Sequence, residues 1–369
     1  MIQAPEEDGN WLLLEKLRRR IDRIDDRILS LLSTRQEFAA EIGRCKRELG
    51  LKVFDPSRER KVLSWLVSNS NGNLSEQAIK GVFSEIISAA RSVQEPLKVA
   101  YLGPEATFCH QAAKKMFGHC AIQRGADSIE QVFELVEAGV CTAGVVPLEN
   151  SCEGSVNMTL DLFFKKDLKI FREGFLRIRH HLLSGTGRKE KIRLIYSHPM
   201  ALAQCRSWLK RHLPGVSVME TESTSAAAGL AAREPDAGAV GSRMSACIYG
   251  LKIVEESIQD HSDNVTRFVV IGKSNNGPTG NDKTSLLFSV PHRAGALLRS
   301  LEPIAKRGIN MTRIESRPMK TGNWEYFFFV DLEGHERDGN VGKAVREMEE
   351  RCIFIKRLGS YPAGGELWD

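Results

Sequence analysis

No stretch of the 369 residues runs to eighteen uninterrupted apolar positions, so a membrane-spanning helix is not expected. The start, MIQAPEEDGNW, is acidic rather than basic and then apolar, which argues against a secretory signal. The eight cysteines form no CxxC and no pairing with histidine at metal-ligand spacing. Reduced thiols in the cytoplasm are the expectation. A concentrated basic face is also missing: net charge is +5, yet residues 1 to 96 carry 16 Lys plus Arg against 15 Asp plus Glu. Nucleic-acid binding loses its usual footing, and anionic small molecules remain open as ligands.

What is present is a chain of globular composition, 42% hydrophobic and 27% charged, long enough for two or three domains. Residues 11 to 49 contain no proline. Leu13, Leu17, Ile21, Ile24, Ile28, Leu31, Leu32, Phe38, Ala39 and Ile42 keep one side of a 3.6-residue period apolar. A helix of that length cannot bury its stripe inside a small domain, so it asks for partner helices or a second copy of itself. Its cations say the same. Arg18 and Arg35 lie seventeen residues apart, or ~25 Å along one helix, too far to reach one small ligand. Arg35 and Lys46 return to nearly the same face ~16 Å apart and can converge. If all three serve one anion, Arg18 comes from another copy, and a dimer follows.

Asp55-Pro56 reads as an N-cap and first residue of a second helix, placing Arg58 and Glu59 in its first turn. Leu74 to Glu95 reads as a third helix. From Pro96 strands alternate with helices, which predicts layered α/β architecture with predominantly parallel sheets. The polar segment KSNNGPTGND, 273 to 282, reads as a linker. Beyond it the order β-α-β-β-α-β is ferredoxin-like.

With these elements in place the chain resembles the bifunctional chorismate mutase/prephenate dehydratase family of phenylalanine biosynthesis. Residues 11–95 resemble the all-helical, dimerising chorismate mutase domain, 98–272 the two-lobed, periplasmic-binding-like α/β prephenate dehydratase domain, and 284–360 the ferredoxin-like α+β ACT regulatory domain. The resemblance implies a mutase site made of Arg18 from the partner subunit, Arg35, Lys46, Asp55, Arg58, Glu59 and Gln94. Lys46 and Gln94 would donate to the ether oxygen, while Glu59 and the Asp55 backbone engage the ring hydroxyl. Rearrangement of the chorismate dianion is pericyclic, so the protein supplies grip and charge stabilisation and no nucleophile. Ala90 stands where the family often has serine.

The dehydratase resemblance rests on YLGPEATFCH (101–110), VVPLENSCEGSV (145–156), SHPMALAQC (197–205), TESTSAA (221–227) and DNVTRFVV (263–270). It implies that Thr266 donates to the departing hydroxyl of prephenate, with Asn150, Ser151, Ser197, Gln204, Ser223, Thr224 and Arg267 binding substrate. Glu149 and His198 are neighbours with structural or proton-handling roles, and Cys109 takes a position usually held by serine or threonine. In the last segment Gly295, Ala296 and Leu297, with Glu315, Ser316, Arg317 and Pro318, resemble the phenylalanine-binding elements of the ACT domain. Feedback inhibition by L-phenylalanine is thereby implied, in a homodimer or higher oligomer needing no metal or organic cofactor. Two further readings are a chain retaining one activity and a non-catalytic ligand-responsive regulator. The Thr266 motifs and the lack of a DNA-reading helix speak against the regulator.

Overall fold

The computed structural model describes residues 9–51, 53–273, 275–318, 326–365 and 367–369. The sequence NWEYFFFVDLEG, 323 to 334, reads as the third strand of the last segment, and it begins outside the described residues. The N-terminal unit is three helices: α1 (Gly9–Glu48), α2 (Pro56–Ser68) and α3 (Glu76–Gln94). The Asp55 carboxylate accepts from the Arg58 backbone N–H at 3.1 Å and Pro56 takes the first helical position, which fixes where α2 starts. Ser75 caps α3 in the same way. Only the second half of α1 packs on α3. A Cβ on Gly43 would stand 2.9 Å from Gln94 Cγ, so glycine is what lets the two helices close at that point. Toward its start α1 is bare: Trp11, Leu13, Leu17, Ile21, Ile24, Ile28 and Leu31 are all exposed.

The second unit opens with β1 (Lys98–Leu102), α4 (Phe108–Phe117), β2 (Ile122–Ala126), α5 (Ile129–Glu137), β3 (Ala143–Asn150), β4 (Gly154–Ser155), α6 (Asn157–Lys165) and β5 (Lys169–Arg177). It continues through β6 (His181–Ser184), β7 (Leu194–Ser197), α7 (Pro199–Gln204), α8 (Arg206–His212), β8 (Ser217–Glu220), α9 (Thr224–Ala231), β9 (Ala237–Gly241), α10 (Arg243–Tyr249) and β10 (Lys252–Glu255), and returns with β11 (Val265–Gly272). The third unit is β12 (Asp282–Ser289), α11 (Ala296–Lys306), β13 (Met311–Pro318), β14 (Tyr326–Glu333), α12 (Gly339–Glu349) and β15 (Phe354–Pro362), followed by a short β16 (Leu367–Trp368).

Two sheets make the two lobes. One has the order β16-β5-β11-β3-β1-β2, with β4 on β3, and the other β10-β6-β9-β7-β8. The expectation of predominantly parallel sheets needs correction, because β11 runs antiparallel to both β3 and β5, and β6 antiparallel to β9 and β10. The cause is the double crossing between lobes. The run 168–183 leaves the first sheet at Arg177 and enters the second at His181, and the chain comes back before Val265, so the returning strand meets its neighbours from the opposite direction. The crossings lie side by side: the Ile178 N–H donates to the Asn264 carbonyl at 2.8 Å, and the Ile258 N–H to that of His180 at 2.8 Å. Each lobe buries its own apolar core, around Val146, Phe163 and Val269 in one and Leu182, Ile195 and Val240 in the other.

The third unit is an antiparallel sheet of order β13-β14-β12-β15, the ferredoxin-like arrangement, leaving β13 at an edge. The linker is not a free tether. Asn276 is buried and donates to the Phe171 carbonyl, and Ser57 of α2 donates to that of Gly277 at 2.9 Å, so it is wedged between units. After β15 the chain doubles back and β16 pairs with β5, an addition no local pattern announced.

Candidate functional sites

The helical unit closes a pocket of about 340 Å³ lined by Arg35, Ala39, Lys46, Asp55, Arg58, Glu59, Ala90, Arg91 and Gln94, among others. Six of the seven residues expected there, spread over three helices, meet in this space. Arg18 does not: its guanidinium is exposed near the far end of α1, paired with Glu15 at 3.0 Å. The donors are held on backbone carbonyls, Lys46 on Val53 at 2.9 Å and Gln94 on Ala90 at 3.1 Å. Both contacts are ones an anion can displace. Burial lowers the Arg35 pKa and raises that of Glu59, the latter opposed by the charges of Arg91, Arg172 and Lys46. Arg91 was not singled out from sequence, where it reads as one of many helical arginines.

The larger cleft, about 880 Å³, lies between the lobes. Asn150, Gln204, Ser223, Thr224 and Thr266 line it, with His180, His198, Asn264 and Cys109. The floor is the double crossing, and its polar groups form one chain. His180 Nε2 meets Gln204 Oε1 at 2.9 Å, and Asn264 Nδ2 donates to the same oxygen at 3.0 Å. Asn150 Nδ2 donates to Asn264 Oδ1 at 2.7 Å and to Thr266 Oγ1 at 2.9 Å. An amide oxygen only accepts, so His180 carries its proton on Nε2; the donors then diverge from Asn150, toward Thr266 on one side and Asn264 on the other, and meet on the Gln204 oxygen. The Thr266 oxygen accepts, which leaves its own proton to donate elsewhere. Burial brings the His180 pKa down to about 4, opposed by the Gln204 bond, and keeps the ring neutral. Neither Asn264 nor His180 was expected; Asn264 sits inside the quoted DNVTRFVV motif, the one sequence signal available.

No Lys or Arg lines this cleft among the described residues. Positive potential comes instead from the starts of α4, capped by Thr107, and α9, capped by Ser223, both opening on the cleft. The loop ahead of α4 is held under strain. Ala106 has φ 66°, and its carbonyl accepts from Ser242 and Ser245 of the other lobe, each at 3.2 Å. Ser225 also donates to the Glu105 carbonyl. Cys109 is buried and its thiol is pushed up to about 12, so it stays protonated and is no nucleophile.

Three expected substrate contacts lie elsewhere. Arg267 neighbours Thr266 on β11, and successive side chains of a strand face opposite ways. Its guanidinium therefore points under the sheet to Glu173 at 2.8 Å and Asp331 at 2.6 Å, with Tyr361 at 2.9 Å. Burial alone would lower its pKa, but Tyr361, Asp331 and Glu173 outweigh that and raise it. Glu149, beside Asn150, shares this lower face and meets Arg313 at 3.3 Å. Ser197 is fully buried, its hydroxyl on the Val240 carbonyl at 2.8 Å. Ser151 staples the loop to the Asp263 carbonyl and the Val265 N–H.

In the third unit Gly295, Ala296 and Leu297 line a recess of about 200 Å³ with Val290, Tyr326 and Phe328. Gly295 has φ 76°, a left-handed turn that suits glycine. Glu315 to Pro318 do not line it. They lie on edge strand β13, where Arg317 pairs with Asp161 of α6 at 3.0 Å.

Three family models match in the order of these units: Chorismate mutase type II over residues 17–95, Prephenate dehydratase over 99–276 and ACT domain over 284–350. A bifunctional chorismate mutase/prephenate dehydratase of Aquifex aeolicus is 47% identical over 353 residues, covering 95% of this chain and 98% of that one. The chain belongs to the bifunctional chorismate mutase/prephenate dehydratase family. It is an enzyme of phenylalanine biosynthesis with both activities. A relative of the same name from Neisseria gonorrhoeae is 43% identical, covering 95% of this chain and 97% of its own. Among solved structures, the Arthrobacter aurescens prephenate dehydratase in complex with L-Phe aligns with TM-score 0.67 at 34% identity, covering 72% of this chain and 90% of that one. No described helix is long and apolar enough to cross a membrane.

Proposed function

We propose that the two pockets carry out consecutive steps in a cytoplasmic homodimer, with unit boundaries at 11–95, 98–272 and 284–360. Chorismate enters the helical pocket, where Arg35 and the partner copy's Arg18 grip its carboxylates in pairs. Lys46 and Gln94 leave their backbone carbonyls to meet charge developing on the ether oxygen, and Glu59 accepts from the ring hydroxyl. The bare stripe of α1 supports this reading, since covering it with a second α1 would also deliver Arg18.

Prephenate then occupies the interlobe cleft. The observation that carries this reading is the hydrogen bond that the Asn150 amide, itself anchored on Asn264, donates to Thr266 Oγ1. Because Thr266 Oγ1 accepts from Asn150, its proton is free for the departing hydroxyl, and aromatisation drives loss of carbon dioxide. Gln204, Ser223, Thr224 and the α4 and α9 helix starts hold the substrate. That no lysine or arginine lines the cleft among the described residues suits the chemistry, because a strong cation on the carboxylate that must leave would stabilise the ground state.

L-Phenylalanine binds at Gly295–Leu297, and Glu315–Pro318 of a paired copy complete that site across the exposed edge of β13. The test is product analysis from chorismate at neutral pH, with and without phenylalanine. Phenylpyruvate formation suppressed by phenylalanine supports all three assignments. Accumulating prephenate without phenylalanine would sink the Thr266 assignment, and unchanged chorismate beside turnover of supplied prephenate would sink the helical one.

A further inference from the structure

Arg91 has been given no part in either reaction, yet it joins the two catalytic units. It projects from the last turn of α3, is 6% exposed, and lines the mutase pocket. Its Nη1 stands 3.2 Å from Glu59 Oε1, while Nη2 donates to the Phe117 carbonyl at 2.8 Å. Ser88, one turn earlier on α3, donates to the same carbonyl at 2.7 Å. The guanidinium carbon lies 5.2 Å from the Phe54 ring centroid and 5.8 Å from that of Phe117, so aromatic faces hold it where water would otherwise compete. Phe117 ends α4, the helix whose first residues, Phe108 and Cys109, line the dehydratase cleft. One side chain thus touches the mutase carboxylate and the far end of a dehydratase-site helix.

We propose that Arg91 is a positioning residue for the chorismate rearrangement, orienting Glu59 toward the substrate hydroxyl and fastening the mutase pocket to the dehydratase lobe at Phe117. The inference rests on Glu59 engaging that hydroxyl. A carboxylate this enclosed tends to take up a proton and so cease to be a pure acceptor; a cation within ion-pair distance opposes that. Glu59 also faces Arg172 from β5, Lys46 from α1 and Asp55 on its own helix, with Arg58 and Arg35 lining the same pocket. Arg91 is the one of these that a hydrogen bond ties to the neighbouring unit's backbone at Phe117.

The experiment follows chorismate disappearance in the full chain, as a function of pH, for Arg91→Met, Arg91→Lys, Glu59→Gln and the Arg91→Met/Glu59→Gln pair. Removing the cation leaves Glu59 easier to protonate, so in Arg91→Met the acid limb of the mutase profile should move up by about one pH unit or more. The mutase kcat should fall by roughly tenfold to a hundredfold with a smaller change in KM. Arg91→Lys, which keeps charge but not the two-armed reach, should lie between, and supplies the readout if the Met variant does not fold. With Glu59→Gln already present, Arg91→Met should cost about twofold or less, since contacting residues couple. An unmoved acid limb, or losses that simply multiply in the double variant, would overturn the proposal. A Glu59→Gln variant with full mutase activity would instead remove the role of Glu59 and take that of Arg91 with it.

Discussion

Thr266 and its neighbours show how little a single side chain decides alone. A threonine hydroxyl is a poor acid, and what makes it a usable donor is that Asn150 fills its acceptor side. Thr266→Val, of nearly equal volume, should therefore lower the kcat for supplied prephenate by about 10² to 10⁴ while chorismate consumption proceeds; a loss of both would mean the substitution acts on folding. His180 gives a stability signature. Its pKa is depressed from 6.5 to about 4 in the fold, so the unfolded chain binds the extra proton between those values. Stability is thus present in full above pH 6.5 and is lost as pH falls toward 4, by up to about 3 kcal/mol. Urea midpoints measured across that window should decline less steeply for His180→Gln than for the parent chain.

At the scale of elements, α1 is the outlier. Some twenty residues of it, about 30 Å, leave the body of the helical unit with Ile21, Ile24 and Ile28 exposed on one side. A contiguous apolar stripe of that kind marks an interface. Ile24→Glu should convert the proposed dimer to a monomer by light scattering and cut mutase kcat/KM by roughly 10²-fold or more, because the proposed contribution of the partner copy's Arg18 goes with it. A dimer that persists with full activity would refute the shared site. β11 makes the opposite use of its two faces: Thr266 looks into the cleft and Arg267 into the seam with the third unit, and the alternation of a strand is all that separates them. Reading both as substrate contacts from the adjacent letters of TRF missed that alternation, which becomes decisive once β11 is known to lie in the middle of a sheet with both faces covered.

For the whole molecule, the seam beneath β11 and β3 joins the cleft to the ferredoxin-like unit proposed to regulate it. Arg313 of β13 reaches Glu149 at 3.3 Å and Ser155 at 2.6 Å, and Asp331 of β14 takes Arg267, so groups beside Asn150 and Thr266 are gripped by the ferredoxin-like unit. A ligand that shifts β13 has a short physical route to the cleft. Arg313→Met should raise the phenylalanine concentration for half-inhibition of the dehydratase by about tenfold; an unchanged value would place the coupling elsewhere. The chain by itself determined the order of units, the cap at Asp55, the helical period of α1 and the loop motifs, because capping and periodicity act over a few neighbouring residues. Only the tertiary structure decided which of those motif residues share a space. It set Asn150, Gln204 and Thr266 around one cleft and turned Arg267, Ser151 and Ser197 away from it. It also brought Asn264, His180 and Arg91 into play and returned β16 to the first sheet. Side-chain direction and contacts across more than a hundred residues depend on where two crossing strands run, and no local pattern carries that information.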